Sequence, residues 1–267
     1  MDVILNGETR LYYIVGDPIA QVKSPPALTA ILVERGANAL VVPAHVAPAD
    51  LDAFLAAARV TRNVDGIVVT VPHKIACLAF CDETTERAAF AGSTNVIRRG
   101  ADGRWRGDNT DGQGYLDGMA ARGFDVAGKT ALLVGAGGAG SAIAYEILAR
   151  GAKHLKIHDI DTTRRDRILA RLAERFPGRA ASGDADPTGV DLVANATPLG
   201  MREGDPLPVD ATKLVAAQFV ADVITRPEIS PLLVHARHIG CATMPGAGMF
   251  DAQAQLLVDR MLGLDAV

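Results

Sequence analysis

Short β-branched, apolar runs alternate with longer amphipathic stretches along most of the chain. That alternation predicts an α/β fold with parallel strands. Residues 11–16 read as a strand. Ser24 and Pro25 then open a helix, Ser as N-cap and Pro as first helical residue, and Gly36 closes it. Residues 40–42 predict a second strand and 51–58 a helix. Residues 66–71 are apolar on both faces, as in a strand covered by helices on each side, and the run ends at Pro72.

The texture changes after Asp111. Residues 112–122 read as a helix stopped by Gly123, and 129–134 as a new apolar strand. That strand runs into a glycine-rich segment and a helix over 141–150. A strand over 154–159 and a helix over 162–175 follow, with further strands at 191–195 and 219–223. Residues 183–189 and 202–208 have the Gly, Pro and Asp content of loops. A boundary near residues 109–112 divides the chain into two domains, the expected number for 267 residues.

Charge and cysteine content narrow the function. A net charge of −4 argues against a nucleic-acid or anionic-membrane surface. The dense basic stretch 164–175 is broken by Asp166 and Glu174 and reads as a solvated helix face. No apolar run approaches the roughly 18–20 residues that span a bilayer, and residues 1–10 lack the order of a signal peptide. Three cysteines, Cys77, Cys81 and Cys241, leave an odd one out, so a reduced, cytoplasmic protein is expected. Cys77 and Cys81 share one face of a predicted helix, but no neighbouring His or Cys completes a tetrahedral set, and no metal site is expected.

Gly135, Gly137 and Gly140 form G-x-G-x-x-G between a strand and a helix, with a second strand following. The first glycine permits the turn, the second lets backbone approach a pyrophosphate, and the third packs helix on strand. Residues Gly135, Ala136, Gly137, Gly138 and Ala139 are therefore expected to hold a dinucleotide at a helix N-terminus. Asp159 closes the next strand at roughly the 20-residue spacing at which a carboxylate accepts from the adenosine ribose hydroxyls. It would also repel a 2′-phosphate, and Ile160 rather than Arg follows it. NAD is expected over NADP, although Arg164 and Arg165 stand close by and Asp159 also suits a helix cap.

Oxidising a hydroxyl requires a group to take its proton. Lys74 follows the buried strand at the carboxyl end, where ligands of open α/β sheets gather. It is expected in the first turn of a helix, whose dipole disfavours a cation. Asp111 opens the helix after Asn109-Thr110, a position that also suits a simple cap.

With these residues the chain resembles the shikimate/quinate dehydrogenase family. The matching segments are Gly16-Asp17-Pro18-Ile19, Lys23-Ser24-Pro25, Thr70-Val71-Pro72-His73-Lys74, Asn95 and Gly107-Asp108-Asn109-Thr110-Asp111-Gly112. Gly135–Gly138, Asn195-Ala196-Thr197-Pro198-Leu199-Gly200-Met201 and Gly246-Ala247-Gly248-Met249-Phe250-Asp251-Ala252-Gln253 follow in family order. The resemblance implies an α/β substrate domain of residues 1–110 plus 240–267 and a Rossmann-type dinucleotide domain of residues 111–239. It implies Lys74 and Asp111 as the catalytic pair, with Ser24, Thr70, Asn95 and Gln253 binding substrate. Thr197, Val223, Gly246 and Met249 would lie near the cofactor, at its nicotinamide end.

The departures concern the substrate. The family's serine-x-serine-proline motif, which holds a carboxylate, reads Val22-Lys23-Ser24-Pro25. An asparagine two residues before the conserved threonine is Val68, and a tyrosine after the Asp222 strand is Thr225. Unpaired polar groups on a substrate cost about 1–3 kcal/mol each, so a related cyclic hydroxy acid is as natural a ligand as shikimate or quinate. His73 and Gln21 are secondary candidates for proton relay and substrate contact. An NADP-linked biosynthetic shikimate dehydrogenase and a dinucleotide-binding protein with little catalysis are the alternatives, as monomer or homodimer.

Overall fold

The computed structural model describes residues 5–20 and 22–264; Gln21 lies outside the described residues. The chain forms two compact units, Met1–Thr110 with Ala254–Val267, and Asp111–Gln253.

In the first unit the alternating N-terminal run forms β1 (Arg10–Gly16), followed by α1 (Ser24–Glu34), β2 (Ala39–His45), α2 (Leu51–Val60) and β3 (Val64–Val69). The chain then passes through β4 (Glu83–Thr84), α3 (Glu86–Ala91), β5 (Val96–Arg99) and β6 (Trp105–Asp108). These strands make a six-stranded sheet in the order β2-β1-β3-β5-β6-β4. It is parallel across β2, β1 and β3 and antiparallel from β3 through β5 to β6. Both faces are covered. Leu28 and Leu32 of α1 pack with Ile14, Val68 and the C-terminal residues Leu257, Val258 and Met261. Leu51 and Leu55 of α2 pack with Val15, Ile67, Val69 and Trp105 on the other side.

The C-terminal segment is tied into this unit by polar contacts as well. The Tyr12 hydroxyl donates to the Met261 carbonyl at 3.1 Å, and Arg260 pairs with buried Asp108 at 2.7 Å. Breaking a buried pair by removing one member is costly because the other charge stays buried.

The second unit contains α4 (Asp111–Ala120), β7 (Thr130–Val134), α5 (Gly138–Ala149), β8 (His154–His158), α6 (Thr162–Arg175) and β9 (Ala180–Ser182). It continues with β10 (Leu192–Asn195), β11 (Phe219–Asp222), α7 (Pro231–Ile239), β12 (Ala242–Met244) and the first half of α8 (Gly246–Leu262), whose residues from Ala254 onward belong to the first unit. The sheet order is β12-β11-β10-β7-β8-β9, with every pair parallel. The order reverses between β7 and β10, the point at which open α/β sheets bind ligands.

Three expectations are corrected. Ser24 is the first residue of α1 and not its cap; Lys23 occupies the cap position without a side-chain bond. Lys74 does not sit in an α-helical first turn. Residues 71–75 form turns, and only a short 3-10 segment, Ala76–Phe80, follows, so a helix dipole has little to act with there. Residues 240–253 do not return to the first unit. β12 pairs with β11 in the second sheet, and the division falls inside α8 between Gln253 and Ala254.

Candidate functional site

In the first unit, the candidate residues gather at the carboxyl end of β3. Thr70 follows the last residue of β3, and its N–H donates to the Val15 carbonyl of the neighbouring strand at 2.9 Å. Lys74, half-buried, is held by its main chain: its carbonyl accepts from Thr94 N–H at 2.9 Å. Adjacent to Thr94, the Asn95 main chain bridges β3 and β6 through Val69 N–H (2.8 Å) and the Asp108 carbonyl (3.0 Å). Thr70, Lys74 and Asn95 are thus held by one lattice of backbone bonds.

Asn95 also has a structural task. Its side-chain carbonyl accepts from Thr110 N–H at 3.0 Å, and its amide donates to the Thr110 hydroxyl at 3.1 Å. This fixes the residue immediately before Asp111. His73 is buried and donates through Nε2 to the Val46 carbonyl at 2.7 Å, a brace for the turn. Ser24 is buried at the start of α1. Val22 packs against the core, and Val68 is part of it, so neither position offers a polar group.

In the second unit, Asp111 opens α4 and is buried; its carboxylate accepts from the Gln253 amide at 2.9 Å. The approach of α8 to α4 that makes this bond possible depends on two glycines. A Cβ at Gly114 would lie 2.8 Å from the Gln253 Cβ, and one at Gly118 would lie 2.6 Å from the Gly248 carbonyl oxygen. The sequence pairs Gly114 with Gly118 one turn apart on α4, a signal for close helix packing that reading for catalytic motifs passes over.

The glycine-rich turn has the form a dinucleotide needs. Gly135 has φ +100°, and a Cβ there would meet Ala196 and Thr197 of the loop after β10 at 2.8 Å. Gly140 abuts the Gly135 carbonyl, where no Cβ fits. At Gly137 and Gly138 a Cβ would meet nothing within 4 Å, which leaves open space over the start of α5. No side chain caps that helix, so its first N–H groups are available to an anion. These features fit a bound pyrophosphate.

Asp159, just after β8, is buried. One carboxylate oxygen accepts from Ala136 N–H at 2.7 Å and the other from Asp161 N–H at 2.8 Å. It therefore braces the glycine-rich turn while placing negative charge beside it. Asp161 caps α6 through Arg164 N–H, and the Arg164 guanidinium lies 3.1 Å from Asp161 and 3.9 Å from Asp159. Ile160 between them is 94% exposed.

Thr197, Val223 and Gly246 occupy the loops after β10 and β11 and the start of α8; Met249 is one turn into α8. Thr197, Val223 and Gly246 are held by Asn195 and Ile224, neither of which has a role assigned from the sequence. The Asn195 side-chain carbonyl accepts from Thr197 N–H (3.0 Å) and hydroxyl (2.7 Å). Val223 N–H donates to the Asn195 main-chain carbonyl at 3.1 Å, and Gly246 N–H to the Ile224 carbonyl at 3.1 Å.

The comparisons with known proteins bear on both units. Residues 14–97 match the family model described as "Shikimate dehydrogenase substrate binding domain". The shikimate dehydrogenase (NADP(+)) of Rubrobacter xylanophilus is 37% identical over 91% of this chain and 87% of its own length. The quinate/shikimate dehydrogenase (NAD(+)) of Corynebacterium efficiens is 33% identical over 94% of this chain and 92% of its own. Among solved structures, the 5-ketofructose reductase of a Gluconobacter strain superposes with a TM-score of 0.87 at 29% identity, covering 96% of this chain and 93% of that one. A dinucleotide cradle at the switch point of one unit, joined to a substrate-domain match in the other, accounts for such full-length similarity: the chain belongs to the shikimate/quinate dehydrogenase family and is an NAD(P)-dependent oxidoreductase.

Proposed function

We propose that the chain is an NAD-preferring dehydrogenase that reversibly oxidises a secondary ring hydroxyl of shikimate, quinate or a related cyclic hydroxy acid. In this reading residues 1–110 and the C-terminal end of α8 bind the substrate, and residues 111–253 hold the dinucleotide. The observation that carries the cofactor preference is Asp159. Its carboxylate is fixed to the Ala136 N–H of the glycine-rich turn, with Asp161 beside it and an aliphatic residue between. A 2′-phosphate there would meet negative charge where ribose hydroxyls find acceptors.

Gly135 to Ala139 and the start of α5 would hold the pyrophosphate, with Thr197, Val223, Gly246 and Met249 near the nicotinamide. When bound, the nicotinamide accepts a hydride. Lys74 Nζ takes the hydroxyl proton, and its loop is kept in place by the Thr94–Lys74 backbone bond. Asp111, anchored by Gln253, orients and polarises the same hydroxyl. Ser24, Thr70 and Asn95 bind the remaining polar groups of the substrate.

A second reading is favoured by Val22 and Val68. Val68 is part of the core cluster and Val22 packs against it, and a substrate carboxylate gains no hydrogen bond from either aliphatic side chain. A polyhydroxy substrate without a carboxylate then fits better, and the similarity to a 5-ketofructose reductase supports this. Cytoplasmic location is supported by the three unpaired cysteines.

The test is the initial rate of cofactor reduction with shikimate, quinate and polyols, each with NAD and with NADP. Faster turnover with NAD is expected, and a large NADP advantage would reject the Asp159 argument. Lys74→Ala should lower kcat by about 10²–10⁴-fold while dinucleotide binding persists; retained turnover in that variant would remove Lys74 from the mechanism.

A further inference from the structure

Asp222 ends β11 with no measurable exposure, and among the described residues no cation pairs with it. Three neutral donors point at its carboxylate. The Asn195 amide reaches one oxygen at 3.1 Å and Ile224 N–H reaches the same oxygen at 3.0 Å. The Ser230 hydroxyl reaches the other at 2.6 Å. Burial pushes this carboxyl group above its ordinary range, against the opposing pull of those hydrogen bonds. The Tyr115 hydroxyl of α4 is also fully buried without a hydrogen-bond partner, and Asp222 is the charge that acts on it.

A buried carboxylate without a counter-ion is expensive. What it secures here is the arrangement of three separate loops. Through Asn195 it reaches Thr197, whose N–H and hydroxyl bond the other end of the same side chain. Through Ile224 it fixes the loop that begins with Val223, and the Ile224 carbonyl in turn accepts from Gly246 N–H. A Cβ at Gly246 would lie 2.5 Å from the carbonyl oxygens of both Val223 and Ile224, so the start of α8 is seated directly on that loop. Ser230, the N-cap of α7, closes the far end of the same loop.

We propose that Asp222 is a positioning residue for the nicotinamide end of the dinucleotide site, its buried carboxylate joining the loops of Thr197, Val223 and Gly246 into one rigid platform. The inference rests on the reading of those three residues as cofactor contacts. Asp222 itself touches neither cofactor nor substrate; it acts through Asn195 and Ile224.

NADH affinity, steady-state kinetics and melting temperature should be measured for the wild-type chain, Asp222→Ala, Asp222→Asn and Ser230→Ala. Asp222→Ala should raise the NADH Kd and the cofactor KM at least tenfold. Asp222→Asn should restore both to within threefold of wild type. Its amide oxygen can serve Asn195 and Ile224, and its NH₂ can meet a Ser230 hydroxyl turned to accept. Ser230→Ala should fall between, at threefold to tenfold, and it carries the test if Asp222→Ala does not fold. A merely structural role would lower the melting temperature and the amount of active enzyme while leaving the cofactor KM of the folded fraction unchanged. That result, or folded Asp222→Ala and Ser230→Ala variants binding NADH within twofold of wild type, overturns the proposal. A wild-type chain that binds neither NADH nor NADPH overturns the cofactor-site reading and this inference with it.

Discussion

In the proposed function Asp159 serves structure and selectivity together. Its two oxygens are committed to Ala136 and Asp161 N–H groups, yet a carboxylate has further lone pairs for ribose hydroxyls. An asparagine could keep only one of those backbone bonds as acceptor and would carry no charge. Asp159→Asn is therefore expected to weaken NAD binding about tenfold, roughly the loss of one charge-assisted hydrogen bond, and to narrow the gap to NADP. Equal NAD affinity in the variant, measured by titration with both dinucleotides, would rule out this role. The cysteines give a second prediction. Burial pushes the Cys77 and Cys81 thiols up to about 12, and it also raises Cys241. Because the thiolate is the reactive form, Cys77 and Cys81 in the native protein should resist a thiol reagent at pH 8 and react on unfolding. Rapid native-state modification of buried Cys77 or half-buried Cys81 would contradict those raised values. Single residues within contiguous motifs were legible in the sequence, Asp159 and the glycines among them. Asp222 and Ser230 were not, because their significance lies in contacts between strands and loops apart in the chain.

At the scale of the element, the turn from β7 into α5 separates glycines that are required from two that are not, Gly137 and Gly138. A Cβ at Gly140 would lie 2.0 Å from the Gly135 carbonyl, whereas one at Gly138 meets nothing within 4 Å. Gly140→Ala should therefore displace the start of α5 and lower dinucleotide affinity at least tenfold with a lowered melting temperature. Gly138→Ala should fold as wild type and stand within the few tenths of a kcal/mol to about 1 kcal/mol by which alanine is the better helix former. Melting curves with and without NAD would separate the two, and equal behaviour would show that the turn can relax. The long periodic elements followed the sequence closely; α6 spans Thr162–Arg175 as its pattern predicts. The segment from β4 to β6 did not, since its strands of two to four residues are too short for periodicity to register and pair through long-range contacts. Likewise β2 continues through Pro43, which an edge strand tolerates where a central one would not.

Across the whole molecule, several carboxylates hold their protons less tightly in the fold than in an unfolded chain. Asp102 is brought to about 2, chiefly by hydrogen bonds from Arg106. Asp82 is lowered mainly by the Trp105 N–H, Asp191 by the Thr130 N–H and Asp205 by the Arg202 N–H. Each contributes stability that is present above its unfolded value and is lost as the pH falls toward its folded one. Asp222 runs the other way, since its raised value gives a contribution that is lost as the pH rises through that value. The lowered groups outnumber it. Melting temperature should thus be highest above about pH 5 and fall on acidification from pH 4 toward pH 2; a rise over that interval would contradict the assigned contacts. The two-unit division was legible at its first boundary from the texture change near Asp111. The second lay inside a continuous helix, where no loop composition could mark it.

The discontinuity of the first unit has a consequence for biosynthesis. The Tyr12 hydroxyl finds its acceptor at Met261, 249 positions downstream, and Asp108 finds Arg260. The strands that leave the ribosome first must wait, with part of one sheet face bare, while the whole of Asp111–Gln253 is translated and the last turns of α8 emerge. The second unit is contiguous in the chain, so the unit begun first is completed last. During that interval the nascent chain exposes the apolar face later covered by Leu257, Val258 and Met261, and it is there that a chaperone would find its binding surface.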